Sequence, residues 1–341
     1  MYRYSRVLPR AQKLFSAKMA VKNALPTLNY NLFSNQLEPS DKITLFTSNI
    51  FPPLATLWYH FVQKYLGDKV EMFIFDCSGK LDPHDFPNVR MQKYVNAMHP
   101  TKIDAFLKKS TANRDIIWIC DDDLFPISNN SIDILKQEFS KQKTVMVSFR
   151  PRTWWHFDID GKEIEPCGSY CTAINRDTFV NKEHLSARTA DNNPHPSKLG
   201  KKNMRYDTLD KANEDLIMRG YKCTVVEEKE RDECICGFDG TSGGALLLDY
   251  FKSPKSVIKH LNKPPDEKWK GTVLHGTLKS LLQISAVQNM YTELMGRPYP
   301  LLAMPHRSEL DAIRERVEPF IPFETAFNSI DLAEKKLMEK L

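Results

Sequence analysis

The most constraining feature of this 341-residue chain is a continuous apolar run that ends in three consecutive acidic residues. The run Ile116–Cys120 reads Ile-Ile-Trp-Ile-Cys, and Asp121, Asp122 and Asp123 follow it directly. A short apolar run without polar alternation is typical of a central strand that is covered on both faces, as in a parallel sheet. Ligands of open sheets of this type bind at the carboxyl ends of the strands. The sequence therefore predicts an α/β fold with three carboxylates at its ligand-binding edge.

Strand and helix patterns alternate around this run. Strands are predicted at residues 42–49, 70–76, 114–120 and 144–149, and helices at 52–66, 101–109, 131–139 and 211–219. This alternation predicts a mostly parallel central sheet flanked by helices. Beyond about residue 255 the pattern is mainly helical. We therefore predict a basic N-terminal extension at residues 1–40, a catalytic α/β domain at 41–255 and a helical C-terminal region at 256–341.

The net charge of +5 is concentrated at the start of the chain. Residues 1–37 contain six basic and no acidic residues, which leaves 42 basic against 43 acidic in the remainder. A neutral body argues against general nucleic-acid binding. The basic segment is open to three interpretations: a solvated extension, peripheral contact with a membrane surface, or a targeting peptide. No apolar stretch reaches the roughly 18 residues that a membrane-spanning helix needs.

The seven cysteines show no regular spacing. Their odd number and the lack of a secretory signal pattern predict free thiols in a reducing compartment, and hence a cytoplasmic protein. A zinc site built from two cysteine pairs is the alternative, although neither pair has the usual spacing of a zinc knuckle: Cys167 with Cys171, and Cys234 with Cys236.

The acidic cluster carries the chemistry. Two unit charges about 4 Å apart repel by about 4 kcal/mol at an effective dielectric constant near 20, and a divalent cation between them removes that cost. Oxygen ligands suit Mg²⁺ or Mn²⁺, which keep waters and recruit substrate phosphates. The cluster therefore predicts a metal–diphosphate site. The alternative is a strand end whose acidic side chains face solvent.

An Asp-x-Asp motif after a buried strand, with an earlier strand that ends in Asp76, resembles the GT-A fold of nucleotide-sugar glycosyltransferases, a Rossmann-like class. The resemblance is to the family-2-like inverting type. It implies that Asp76 lies against the nucleotide base and that Asp121 lies near the ribose or sugar, with Asp122 as a spacer or helper. It also implies that Asp123 binds the metal, with Asp121 as a second ligand.

A second resemblance lies about ninety residues further on. Glu214 and Asp215 are similar to the Glu-Asp motif of inverting members, in which a carboxylate acts as the general base. The resemblance makes Asp215 the first choice and Glu214 the second, and the alternative is an ordinary acidic first turn of a helix. It further implies His275 as a candidate metal ligand.

Three arginines are candidates for diphosphate contact through paired donors: Arg150, Arg152 and Arg176.

These features together predict a metal-dependent, inverting, hexosyltransferase-like glycosyltransferase. Its expected donor is a UDP- or GDP-type sugar, its cofactor Mn²⁺ or Mg²⁺, and its acceptor a glycan or a lipid-linked glycan. Two alternatives stay open from the sequence. One is a sugar nucleotidyltransferase, which also binds nucleotides with Mg²⁺. The other is a non-catalytic binding or scaffold protein with a degenerate site.

Overall fold

A seven-stranded sheet lies at the centre of the fold. The computed structural model describes residues 24–25, 27–30, 32, 37–153, 156–159, 161–190, 206–262, 268–320 and 325–341. The strands are β1 (Ile43–Asn49), β2 (Val70–Asp76), β3 (Val89–Lys93), β4 (Ile116–Cys120), β5 (Leu124–Pro126), β6 (Thr144–Ser148), β7 (Phe157–Ile159), β8 (Lys162–Ile164), β9 (Cys171–Asn175), β10 (Lys222–Val225) and β11 (Ile235–Gly237).

Helices follow most of these strands. They are α1 (Pro52–Tyr65), α2 (His99–Lys109), α3 (Asn130–Ser140), α4 (Asp210–Met218), α5 (Glu228–Cys234), α6 (Thr241–Phe251), α7 (Pro254–Leu261), α8 (Lys268–Met295), α9 (Arg307–Val317) and α10 (Thr325–Lys340). Single turns of 3-10 helix occur at Gly67–Lys69, Pro83–Asp85 and Glu318–Phe320, and a π-helical turn at Asp177–Lys182.

The strand order of the central sheet is β10-β6-β9-β4-β1-β2-β3. The pairs β1–β2, β1–β4, β2–β3 and β6–β10 are parallel, whereas β9 runs antiparallel to both of its neighbours. A mostly parallel α/β sheet flanked by helices, with a mainly helical C-terminal region, was the predicted fold class, and it is confirmed. The boundaries at residues 40 and 255 stay a prediction.

Both faces of the sheet are covered, which explains the unbroken apolar composition of β4. Ile117 and Ile119 pack into the cluster that contains Phe106 of α2. Trp118 and Cys120 face the opposite cluster, which contains residues of α1 and of the C-terminal helices. Adjacent side chains of a strand point to opposite faces, so an apolar residue is required at every position.

Helix α1 illustrates how the sequence sets an element. Pro52 and Pro53 occupy its first turn, where the missing N–H groups cost nothing. Its buried side chains recur at three- and four-residue steps: Leu54, Leu57, Trp58, Phe61 and Val62. The helix ends shortly before Gly67, whose positive φ of 54° turns the chain away.

The ends of the chain show two further features. Tyr30, which falls within the predicted basic extension, is only 1% exposed and packs edge-on against Phe75 and Tyr94. The last turn of α10 docks on α1, where Lys64 Nζ donates to the carbonyl of Leu341 at 2.8 Å. Among the described residues, no helix combines the length and the apolar character needed to cross a membrane.

Candidate active site at the carboxyl edge of the sheet

Three parallel strands end at the same edge with polar side chains. Asn49 ends β1 and pairs in register with Asp76, which ends β2. Asn49 is fully buried, and its Nδ2 donates to Asp122 Oδ2 at 2.5 Å and to the carbonyl of Phe51 at 2.8 Å. The adjacent strands β1 and β4 therefore bring an amide and the acidic cluster into direct contact.

Asp122 and Asp123 are buried, with 3% and 6% of their surface exposed. Asp123 accepts a hydrogen bond from the backbone N–H of Thr241 at 3.1 Å, at the first residue of α6. Burial, followed by the charge of Asp123, raises the pKa of Asp122 to about 8. Burial also raises the pKa of Asp123 to about 6, against the opposing effect of the Thr241 hydrogen bond.

Asp121 is the most exposed of the three aspartates. Its side chain is 27% exposed, and its Oδ1 lies 3.6 Å from Nε2 of His99. Burial and the charges of Asp123 and Asp122 raise the pKa of Asp121 well above its ordinary value. Burial and the neighbouring Lys102 ammonium lower the pKa of His99 to about 3, so its imidazole is neutral at pH 7 and this contact is not an ion pair.

His99 and Lys102 were not identified from the sequence. Both lie in the first turn of α2, and Lys102 is only 6% exposed. The structure gives the Lys102 ammonium no hydrogen bond or ion pair within the described residues, although its charge acts on Asp121 and Asp122. A sequence signal was available, because a helix that follows a parallel strand begins at the ligand-binding edge and Pro100 marks that beginning.

The acidic residues have donor atoms suited to a hard cation, but they do not form a preassembled cage. Within the described residues, no three His, Cys, Asp or Glu side chains are arranged to hold a metal ion. Mg²⁺ is commonly held by only one or two carboxylates together with substrate phosphates. Asp121 and Asp123 provide such carboxylates at one strand end, so the residues present fit that type of site.

The carboxylate of Asp76 is engaged by its own loop. One oxygen accepts hydrogen bonds from the backbone N–H and the hydroxyl of Ser78 and from the N–H of Gly79, at 2.6–3.0 Å. The other oxygen accepts from the N–H of Leu81 at 3.4 Å. Asp76 therefore fixes the loop that follows β2 at the predicted nucleotide side of the edge.

The structure does not bring Arg176 to the acidic residues. Strand β9 is antiparallel to β4, and its last residue, Asn175, pairs with Ile116 at the start of β4. Arg176 therefore lies about 17 Å of strand from the end of β4. Its Nε donates to the carbonyl of Leu107 at 3.2 Å. This placement gives no support to a contact between Arg176 and a diphosphate at Asp121.

The predicted bases lie within α4 rather than at its start. The helix begins at Asp210, so Asp215 is the sixth residue. Asp215 Oδ1 lies 2.9 Å from Lys211 Nζ. Glu214 Oε2 accepts hydrogen bonds from Lys211 Nζ at 2.5 Å and from the Tyr206 hydroxyl at 2.7 Å. Both predicted carboxylates therefore have a lysine partner on their own helix.

Arg152, which the sequence suggested as a diphosphate contact, is the centre of a buried polar cluster near His99. Its guanidinium is fully buried and pairs with the fully buried Asp210, Nε to Oδ1, at 2.7 Å. It also donates to the Tyr170 hydroxyl at 2.6 Å and to the carbonyl of Thr208 at 2.7 Å. Arg152 therefore joins the start of β9 to the start of α4.

One remaining sequence prediction falls outside what the structure describes. His275 lies in the first part of α8, but its side chain is not described. The predicted metal-ligand role of His275 stays a prediction.

No family model and no curated protein matches the sequence. Among solved structures, the fold is similar to the mannosyltransferase PcManGT from Pyrobaculum calidifontis, solved with GDP-Man and Mn²⁺, at 12% identity and a TM-score of 0.39 over 94% of this chain and 97% of that chain. It is similar to 4-diphosphocytidyl-2C-methyl-D-erythritol synthase from Anaerococcus prevotii DSM 20548, at 12% identity and 0.34 over 55% and 86%. S. aureus TarS residues 1–349 is similar at 10% identity and 0.35 over 88% of each chain. At these scores the similarities support no conclusion about activity.

Proposed function

We propose that this chain is a metal-dependent, inverting glycosyltransferase that moves a hexose from a UDP- or GDP-type sugar to a hydroxyl of a glycan or lipid-linked glycan. The observation that carries the proposal is the acidic cluster at the end of β4, beside the buried ammonium of Lys102, which has no hydrogen bond or ion pair within the described residues. A nucleoside diphosphate has both the hydroxyl groups that carboxylates accept from and the anionic oxygens that a cation binds.

Each acidic side chain is proposed to act on a different part of the sugar nucleotide. Asp123, with Asp121 as second ligand, would hold a divalent metal ion. When bound, that ion supplies Lewis-acid stabilisation of the leaving diphosphate. Asp121, on the exposed side of the cluster, is the proposed contact for the ribose or sugar hydroxyls. Asp76 orders the loop on the nucleotide side.

Lys102 lies in the first turn of α2, near the acidic cluster, and is proposed to donate a hydrogen bond to the nucleotide part of the sugar nucleotide. Asn49 holds Asp122 in place through its amide and keeps that carboxylate within the cluster. Asp122 is therefore proposed as a supporting residue rather than as a direct ligand.

Asp123→Asn tests the metal role. The substituted amide keeps an oxygen that can accept from Thr241 but lacks the carboxylate charge, so we expect turnover to fall at least about 100-fold. The wild-type protein should gain thermal stability with GDP-mannose or UDP-glucose in the presence of Mn²⁺, because a bound ligand stabilises the folded state by mass action. Asp123→Asn should lose this gain.

The matched control is Asp133→Asn, which removes an exposed aspartate from the first turn of α3 and should keep both turnover and the thermal shift. Turnover is measured as release of the nucleoside diphosphate. Full activity of Asp123→Asn would contradict the metal role. Release of pyrophosphate from a nucleoside triphosphate and a sugar phosphate would instead favour the nucleotidyltransferase alternative.

A further inference from the structure

Asp207 lies in the turn before α4, close enough to His99 for its charge to oppose the lowering of the pKa of that imidazole by burial, and was not identified from the sequence. Oδ1 of Asp207 accepts hydrogen bonds from the backbone N–H of Thr208 at 2.8 Å and from its hydroxyl at 3.4 Å. Within the described residues, Oδ2 has no hydrogen-bond partner. The side chain of Asp207 is partly exposed, so Oδ2 is accessible to a ligand bound beside the acidic cluster.

A short series of contacts connects Asp207 to Asp121. The N–H of Asp121 donates to the carbonyl of Tyr170 at 2.7 Å, and the hydroxyl of Tyr170 accepts from Arg152 at 2.6 Å. Arg152 in turn donates to the carbonyl of Thr208, the neighbour of Asp207. In agreement with this geometry, the charges of Asp207 and Asp121 both raise the pKa of Tyr170. Asp207 and Asp121 are therefore both close to Tyr170, and Asp121 Oδ1 lies 3.6 Å from His99 Nε2, whose ring the charge of Asp207 also affects.

The turn that carries Asp207 is held rigidly. The N–H of Asp207 donates to Asp210 Oδ2 at 2.7 Å, and the other oxygen of Asp210 faces Arg152. Both members of that ion pair are fully buried. A carboxylate that is fixed by neighbouring contacts keeps its position when a substrate enters, which is what proton transfer requires.

Asp215 does not share this position. It lies five residues after Asp210, which corresponds to about 7.5 Å along the helix axis and about 140° around it. Because Asp210 points into the buried core beside Arg152, Asp215 points in a different direction. Its nearest charged partner is Lys211, at 2.9 Å.

We propose that Asp207, rather than Asp215, is the general base that activates the acceptor hydroxyl; this inference depends on the proposed function. The acceptor O–H bond breaks and its proton moves to Oδ2 of Asp207. The acceptor oxygen forms a bond to the anomeric carbon, and the bond from that carbon to the diphosphate oxygen breaks. The electron pair leaves with the nucleoside diphosphate, and the proton later passes from Asp207 to solvent.

The charged and titratable groups around Asp207 come from several elements. His99 and Lys102 lie in the first turn of α2, and Asp121 follows β4. Tyr170 precedes β9. Arg152 and Asp210 form the buried ion pair next to the turn that carries Asp207. Arg152 and Asp210 are positioning residues in this proposal, because they act through the turn at Asp207 and do not face the acceptor.

The experiment compares three variants with wild type: Asp207→Asn, Asp207→Ala and Asp215→Asn. The control is Asp177→Asn, which changes an exposed aspartate at the start of the π-helical turn. General-base catalysis contributes about 10²–10⁴-fold, so Asp207→Asn should lose at least about 100-fold in kcat. Its donor affinity, measured by titration with GDP-mannose or UDP-glucose and Mn²⁺, should stay within about twofold of wild type. Asp177→Asn should keep wild-type kcat.

Rescue of turnover by formate distinguishes a catalytic role of Asp207 from a structural one. In Asp207→Ala, added formate fills the vacated space with a small carboxylate, and we expect it to restore turnover at least about tenfold. The proposal is overturned if formate gives no rescue, if Asp207→Asn keeps kcat within threefold, or if Asp215→Asn loses kcat while Asp207→Asn does not. If the wild-type protein turns over no nucleotide sugar, the proposed function fails and not this assignment alone.

Discussion

Arg152 shows what a single residue can reveal only in the folded chain. The sequence suggested it as a candidate for contact with a diphosphate. In the structure its guanidinium is buried against Asp210, 58 positions away, and breaking such a pair typically costs about 3–5 kcal/mol. No local pattern indicates which of the 43 acidic residues will be its partner.

Cys77 is a residue for which the surroundings set the chemistry. It directly follows Asp76, and burial, followed by the negative charges of Asp76 and Asp122, raises the pKa of its thiol to about 11 against the opposing effect of Lys102. A raised pKa lowers the thiolate fraction at any given pH. At pH 8 only about 0.1% of this thiol is ionised, compared with about a quarter of an ordinary cysteine.

The reaction of Cys77 with iodoacetamide should therefore keep rising about tenfold per pH unit from pH 7 to 9.5. The rate of an ordinary cysteine levels off near pH 8.5–9. Labelling of the native protein, compared with Cys77→Ser to assign the signal, measures this rate. A plateau near pH 9 in the native protein would contradict the buried environment of Cys77.

At the scale of elements, apolar pattern predicted the parallel strands well. The predicted strands at 42–49, 70–76 and 144–149 agree within one residue with β1, β2 and β6. The direction of β9 was not predictable, because alternating or apolar composition does not encode whether a buried strand runs parallel or antiparallel to its neighbours. The start of α4 agrees within one residue with the predicted helix at 211–219, although Leu209 precedes it with a positive φ of 65° that no glycine signals.

Helix α6 contains a pair of glycines, which is more typical of a turn than of a helix. It begins at Thr241, and Gly243 and Gly244 lie inside it. A side-chain carbon at Gly244 would lie 2.6 Å from the carbonyl oxygen of Ser280 in α8. Gly244 allows α6 and α8 to pack closely. Because glycine has a low helix propensity, the sequence pattern does not indicate a helix at this position.

Gly244→Ala should destabilise the protein by about 1–3 kcal/mol, because overpacking forces α6 and α8 apart. Gly243→Ala is the matched control on the same helix. Its new carbon would lie 3.5 Å from the Ser280 hydroxyl, an ordinary contact, so it should be neutral or gain up to about 1 kcal/mol from helix propensity. Urea unfolding measures both, and equal midpoints for the two variants would contradict the close approach of α6 to α8.

At the scale of the whole molecule, the sequence could predict one half of the candidate site. The aspartates at 121–123 follow a buried strand, and a parallel sheet has one binding edge, so their neighbours at Asn49 and Asp76 follow from topology. Asp207 requires knowledge of the reversed direction of β9 and of the long-range pair between Arg152 and Asp210. The half of the candidate site around Asp207 depends on tertiary contacts, which produce no periodic pattern in the sequence.

The C-terminal helices share a core with the sheet. Leu337 of α10 is fully buried in the cluster that also contains Trp58, Trp118 and Leu281. Leu332 lies on the same helix but is 68% exposed. Burial of α10 against the same cluster means that its loss would uncover apolar surface of the central sheet and of α1.

Leu337→Ala should therefore lower the free energy of unfolding by about 2–5 kcal/mol, as expected for a large-to-small change in a packed core. Leu332→Ala should change it by no more than about 0.5 kcal/mol. The same chemical denaturation experiment compares both variants. A single shared transition that shifts in Leu337→Ala supports one cooperative core, whereas no shift would contradict the packing of α10 against the sheet.

The reversed direction of β9 has an evolutionary consequence. It lets β9 begin at the edge where β6 ends, without a crossover over the sheet, and the stretch between β6 and β9 then begins and ends at the binding edge. Insertions and deletions in that stretch leave the register of the sheet unchanged. The sequence of that stretch can therefore vary while the strands that carry the acidic cluster keep their positions.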